Sequence, residues 1–294
     1  MRRTSRMIML ALVATLAVPA GAHAAKPERN LYVSLGDSYA SGYQPSASGP
    51  GKNTRNGFAY QVPGLAKPRG YELKLVNFGC GGETTVSLLE RKTECGKALG
   101  PGGVKYGGTT QLKAATRYLR AHRKRVALIT VSIGGNDVTK CARTADPIPC
   151  VVAAVGDINE NVGKIAKALR KAAGPKPKLV GITYPDVILG AWVANPPNQA
   201  LATQSVAAFQ QFINPALKKG YSAGKGKFVD VTKTTGAYTP LTQLTTLAQY
   251  GQVPQAVADV CDLTYYCELG DIHARTSGYK IIAELVAKAL PRRG

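Results

Sequence analysis

Histidine and tryptophan are scarce in this 294-residue chain, and acid is scarce beside base. It holds three histidines, one tryptophan, and 17 aspartates and glutamates against 38 lysines and arginines. The histidines lack ligand spacing and no C-x-x-C occurs among the six cysteines, which argues against a zinc centre; no metal or other cofactor is expected. One tryptophan, Trp192, and an aromatic content of 7 % leave few platforms for stacking on sugars. No run after residue 20 is long and apolar enough to span a membrane. No helix-turn-helix pattern or RNA-stacking motif stands out, so no specific nucleic-acid partner is expected. The shortage of acid leaves a net charge of +21. Such a charge favours anionic surfaces, or it serves solubility alone. The basic residues are scattered and dense only in "RAHRKR", residues 120–125.

What is present begins with "MRRTSRMIMLALVATLAVPAGAHAA". A basic start, a short apolar run and the small residues Ala22 and Ala24 make a secretory signal peptide, residues 1–24, cleaved near Ala24. The mature chain is then a secreted, monomeric protein. Arg2, Arg3 and Arg6 leave with the peptide, and removing those three charges from +21 leaves +18. About 270 residues remain, enough for a single domain, residues 25–294, with a sizeable core. All six cysteines lie in it. An even count in an exported chain suggests disulfides. Fifteen pairings are possible; pairing in sequence order closes three short loops and is expected: Cys80–Cys95, Cys141–Cys150 and Cys261–Cys267.

Apolar runs of strand length begin at Leu31, Leu73, Val126, Lys178 and Phe228, with little alternation, as strands covered on both faces require. Helical patterns begin at Thr109, Val151, Asn198 and Thr276, the third containing Pro215, where a kink or break is expected. Strands alternating with helices predict a parallel sheet in an α/β fold. Right-handed crossovers would set all strand carboxyl ends on one edge. Between residues 232 and 266 lies a long connection. Its Leu241, Leu244 and Leu247 recur at helical spacing, so a helix is expected there, either packed on the core or walling a ligand pocket.

Each element junction on that edge carries polar chemistry. The first strand runs into "GDSYASG", where either Asp37 or Ser38 caps the next helix, or Ser38 is a nucleophile presented at the sheet edge. The second runs into "NFGCGGETT", whose glycines leave backbone N–H groups bare. The third runs into "TVSIGGND", where Asn136 offers an amide and Asp137 is placed to cap the next helix. Of the histidines, His23 departs with the signal peptide and His122 sits in a basic helix. Only His273, in "LGDIHARTSGY", stands at an element junction.

In order and spread, these four blocks resemble the SGNH hydrolases, the GDSL esterase and lipase family, over nearly the whole mature chain. The secreted actinobacterial type, stapled by three disulfides, is the most similar. The resemblance implies a three-layer α/β/α sandwich with a flavodoxin-like parallel five-stranded sheet. It implies a carboxylic ester hydrolase with Ser38 as nucleophile and His273 as general base. The oxyanion donors would be the Ser38 N–H, the Gly82 N–H and the Asn136 side chain. One block departs from the family's pattern. The family places an aspartate three residues before the histidine, where this chain has Gly270. The orienting group is then the Asp271 backbone carbonyl, or a displaced acid, the Asp271 or Glu268 side chain. The carbonyl is the arrangement expected, because a residue at minus two does not reproduce the usual acid position. The substrate is an ester, such as a lipid. A phospholipase, a carbohydrate deacetylase, and a non-catalytic binding protein on a degenerate scaffold are the alternatives.

Overall fold

The computed structural model describes residues 28–91 and 95–293. The expected signal peptide lies outside the described residues. From the N-terminal side the chain builds β1 (Leu31–Gly36), α1 (Ser38–Ser41), β2 (Tyr43–Gln44), β3 (Lys52–Asn53), α2 (Phe58–Ala66), β4 (Lys74–Asn77), α3 (Thr85–Glu90), α4 (Gln111–Ala121) and β5 (Val126–Ser132). There follow α5 (Gly135–Thr139), α6 (Pro147–Ala173), β6 (Lys178–Ile182), α7 (Gln199–Ala208), α8 (Asn214–Ala223), β7 (Lys227–Val229) and α9 (Val231–Thr234). The chain closes with β8 (Leu244–Leu247), β9 (Gly251–Pro254), α10 (Gln255–Leu263), α11 (Tyr266–Leu269) and α12 (Thr276–Ala289).

Five strands form one parallel sheet in the order β4-β1-β5-β6-β7. Every residue of β1 and β5 is buried, because helices cover both faces. One face packs on α3, α4, α6 and α8, the other on α2 and α12. In α12, Tyr279, Ile282, Ala283 and Val286 recur at i, i+3, i+4 and i+7 and are fully buried. Each of the three large ones contributes about 1.5–3 kcal/mol. The chain leaves β1 toward β4 on one side and returns to β5 on the other. The carboxyl ends of β1 and β5 therefore flank the switch point of the sheet, where open α/β sheets hold ligands.

The interruption expected near Pro215 is a π-turn at Phe209–Ile213 between α7 and α8, and Pro215 stands in the first turn of α8, where its missing N–H costs nothing. One local expectation is corrected. The leucines after residue 240 form no helix. Leu244 to Leu247 is the first strand of an antiparallel hairpin with β9. The β-branched Thr245 and Thr246 favour extended backbone, and Gly251, with φ at 71°, takes the left-handed residue that closes a three-residue loop. Leu241 and Leu247 pack beside α10 on a third apolar cluster, while Leu244 is 53 % exposed.

Candidate active site

Gly36 ends β1 with φ at 134°, and a Cβ there would stand 2.0 Å from the Ser132 carbonyl oxygen of β5. Only glycine fits a turn so close to the neighbouring strand. Gln111, fully buried in α4, clamps it from the far side. The Gly36 N–H donates to Gln111 Oε1 at 2.7 Å, and Gln111 Nε2 donates back to the Gly36 carbonyl at 3.0 Å. Asp37 follows as the cap of α1, its Oδ1 accepting from the Tyr39 N–H at 3.0 Å. The same oxygen accepts from Ser132 Oγ–H at 3.2 Å, and Oδ2 accepts from the Tyr184 hydroxyl at 2.6 Å. Burial pushes the Asp37 carboxyl up to about 6, against these hydrogen bonds and the nearby His273. The backbone on both sides of Ser38 is thus held by groups far away in sequence. Nothing in the local pattern marks Gln111 or Tyr184.

Ser38 Oγ lies 2.7 Å from His273 Nε2, and His273 Nδ1 lies 2.6 Å from Asp271 Oδ1. Burial raises the Asp271 pKa, but the hydrogen bonds and charge of His273 outweigh it and hold the carboxyl below its ordinary value. An ionised carboxylate only accepts, so Nδ1 carries the proton and Nε2 accepts from the Ser38 hydroxyl. Asp271 Oδ1 also accepts from the His273 backbone N–H at 2.9 Å. That i to i+2 bond is an Asx turn, and it curls the carboxylate round to the ring. The side chain of Asp271, not its backbone carbonyl, therefore faces the imidazole. Glu268 points elsewhere: its Oε2 pairs with Arg275 Nη2 at 2.7 Å.

The segment is tied down on several sides. The Tyr39 hydroxyl donates to the Ile272 carbonyl at 2.7 Å. The Tyr265 N–H donates to the His273 carbonyl at 3.0 Å, and the Arg275 N–H to the Leu263 carbonyl at 2.9 Å. Tyr43 packs its ring 4.5 Å from the imidazole centroid.

Asn136 lies with Ser38 on the wall of one cleft, and its Nδ2 donates to the Glu83 carbonyl at 2.8 Å. Gly82, with φ at 80°, precedes that carbonyl, and Gly81 sits against the Ser38 side chain. The Gly81 and Glu83 N–H groups donate to the Ala98 and Cys80 carbonyls. The N–H groups of Ser38 and Gly82 have no acceptor among the described residues. Asp137 does not cap its own helix. Its carboxylate accepts from the Thr85 N–H and from Thr85 Oγ–H at 2.6 Å, fastening α5 to the start of α3 beyond the Gly82 loop.

Three disulfides join Cys80 to Cys95, Cys141 to Cys150 and Cys261 to Cys267, with Cα separations of 5.7, 5.5 and 5.2 Å. Each borders this edge: the first beside the Gly82 loop, the second where α5 leads into α6, the third just before His273.

From Ser38 and Asn136 an apolar cleft of about 850 Å³, counted out to solvent, runs between α5, α6 and α7. Val138, Ile148, Val151, Leu201 and Ile213 line it, with Phe209 of the π-turn. None of Leu241, Leu244 and Leu247 does. Among the described residues no cluster of histidine, cysteine and carboxylate side chains could hold a metal ion.

The GDSL-like lipase/acylhydrolase family model matches residues 32–286. The chain belongs to this family. As a GDSL-like acylhydrolase it is a carboxylic ester hydrolase. Its fold is shared with an extracellular lipase from Streptomyces rimosus, 20 % identical, covering 89 % of this chain and 99 % of that one at a TM-score of 0.56. It is also similar to a phospholipase A1 from Streptomyces albidoflavus NA297, 17 % identical, with coverage of 89 % and 99 % and a TM-score of 0.50. A search of curated protein sequences returns no match. No helix among the described residues of this acylhydrolase is long and apolar enough to cross a membrane.

One more buried acid of this acylhydrolase borders the cleft. Asp186 is 1 % exposed, receives a hydrogen bond from Ser205 Oγ–H at 2.8 Å, and leaves Oδ1 without a partner among the described residues. Burial pushes it up to about 7. Such a group binds its proton more tightly folded than unfolded. Between pH ~4 and ~7 folding therefore takes up protons, and stability is lost as pH rises. Asp186→Asn removes that loss. The melting temperature of the variant minus that of the wild type should grow from pH 5 to pH 8. A difference that shrinks over this range would contradict the assignment.

Proposed function

We propose that this acylhydrolase cleaves esters of apolar acyl chains through an acyl-enzyme on Ser38. The reading is carried by one observation: Ser38, His273 and Asp271 form an unbroken hydrogen-bonded line whose serine end lies on the wall of an apolar cleft. The acyl chain lies along the cleft with its carbonyl carbon over Ser38 Oγ. His273 Nε2 takes the hydroxyl proton as Oγ attacks, since a serine hydroxyl is a weak nucleophile without an adjacent base. The imidazolium is held by the Asp271 carboxylate. The oxyanion receives the Ser38 N–H, the Gly82 N–H and the Asn136 amide, donors commonly worth about 3–4 kcal/mol each. His273 then protonates the leaving alcohol, and water, activated by the same ring, releases the acid. The three disulfides suit an oxidising, extracellular setting with residues 1–24 removed, as a secreted protein has.

Hydrolysis of p-nitrophenyl esters from acetyl to palmitoyl, with a phospholipid alongside, tests the substrate class. Leu201 projects from α7 into the cleft and is only half-buried, so Leu201→Asp leaves the core alone. Setting a carboxylate where two methylenes of the chain would rest costs about 1.5 kcal/mol. The variant should lose about tenfold in kcat/KM on octanoyl esters and less than twofold on acetyl esters. Equal losses on both would remove the chain from the cleft.

A further inference from the structure

The dense basic run at residues 120–125 has no part in the chemistry above. It leads into β5 at the amino edge of the sheet, opposite the edge that carries Ser38. There a second groove, about 1150 Å³ counted out to solvent, opens beneath the starts of β6 and β7. Six of its twelve lining residues are cationic: Arg123, Arg170, Lys171, Lys178, Lys225 and Lys227. No carboxylate lines it, and none of the six is in an ion pair among the described residues.

The groove is held in shape. Arg170 donates to the carbonyls of Gly174, Pro177, Gly224 and Lys225 at 2.8–3.2 Å, stapling the turn before β6 to the turn before β7. Gly174, with φ at 77°, leaves room for the Arg123 guanidinium, which lies 2.6 Å from where a Cβ would stand. Register pairs Lys227 with Val180, so Lys178 and Lys227 lie on the same face of the sheet. Lys225 sits between two glycines with φ at 54°, a backbone region where glycine fits without strain. It is the only non-glycine residue with positive φ among the described residues, and it lines the groove.

We propose that this groove binds a linear phosphate polyanion that carries no bases, holding the enzyme on a polymer while its catalytic edge stays free. Lysine ammonium groups are mobile point charges that suit a flexible chain of phosphates better than one rigid ligand. No aromatic side chain lines the groove, so nothing stacks on nucleic-acid bases. Its concave form fits a thin chain and not a flat bilayer. A strand rises about 3.3 Å per residue, so the two edges lie roughly 15–20 Å apart. A polymer bound at one leaves the other open.

Inorganic polyphosphate is the probe, measured against the whole protein by calorimetry. The triple variant Lys178→Gln, Lys225→Gln, Lys227→Gln should bind it at least tenfold more weakly. The slope of log Kd against log salt should shrink by about 2. A variant matched in charge, Lys105→Gln, Lys113→Gln, Lys280→Gln, changes exposed lysines that do not line the groove and should lose less than twofold. Circular dichroism establishes that both variants fold. Saturating polyphosphate should leave hydrolysis of a soluble acetyl ester unchanged. Equal weakening in the two variants would assign binding to overall charge, and competitive inhibition would assign it to the catalytic edge. Either overturns the proposal. So does groove-dependent binding of phosphatidylglycerol vesicles or single-stranded DNA that exceeds the binding of polyphosphate.

Discussion

Ser38→Ala is expected to lower kcat for ester hydrolysis by about a millionfold, the scale on which removing a serine nucleophile acts. Residual turnover should come from the oxyanion donors and the cleft, which remain. The fold should survive. Asp37, not Ser38, caps α1, and the Ser38 hydroxyl bonds only to His273 among the described residues. Losing one such bond costs about 1 kcal/mol. A fluorophosphonate should label the wild type at Ser38 and leave the variant unlabelled. Ser38 is 9 % exposed, so labelling also reports that the cleft admits a ligand to this oxygen. Full hydrolysis by a folded, unlabelled Ser38→Ala protein would sink the nucleophile assignment, and with it the view that this edge is catalytic.

The layers of the fold were readable because their cause is local. A run such as "VALITVS" opens with four apolar residues and shows no sustained alternation, as a strand covered on both sides does. Ser38, Asn136 and His273 stood out for a related reason. Ser38 and Asn136 each follow the end of an apolar strand, and a parallel sheet brings those ends together; His273 is the one histidine of the mature sequence at an element junction. What holds them in place was not readable. Gln111 reaches Gly36 across 75 residues, and Tyr184 reaches Asp37 across 147. In sequence, neither differs from any helix glutamine or strand-end tyrosine. The hairpin at 244–254 is hidden in the sequence because leucines three apart satisfy a helix. Two adjacent threonines and a glycine placed for a left-handed turn outweighed that spacing. The same distance-blindness applies at the opposite edge, where the turns before β6 and β7 are brought together only by register.

Asp271 shows the limit of spacing rules most sharply. A carboxylate at minus two in an extended segment would point away from the ring, which favoured the backbone carbonyl as the orienter. The Asx turn removes that objection, because one oxygen accepts from both the His273 N–H and Nδ1. Asp271→Asn keeps the shape and removes the charge. It also offers the ring an N–H where only an acceptor belongs, and so favours the wrong tautomer, a fault that can cost about 10⁴ in turnover. The Asp271 side chain is 26 % exposed, so solvent offsets part of the lost charge. The expected fall in kcat is therefore about a thousandfold, with KM little changed. If the backbone carbonyl oriented His273, the same substitution would cost tenfold or less. Glu268→Gln separates the remaining acid, since Glu268 faces Arg275 and its loss should stay within about twofold. Fluorophosphonate labelling should slow in parallel with kcat in Asp271→Asn, because in the proposed mechanism the same proton leaves Ser38 Oγ for His273 Nε2 in both reactions. Unslowed labelling beside a thousandfold loss of turnover would move Asp271 from the acylation step to a later one. A loss under tenfold in a folded Asp271→Asn protein would return the orienting role to the main chain.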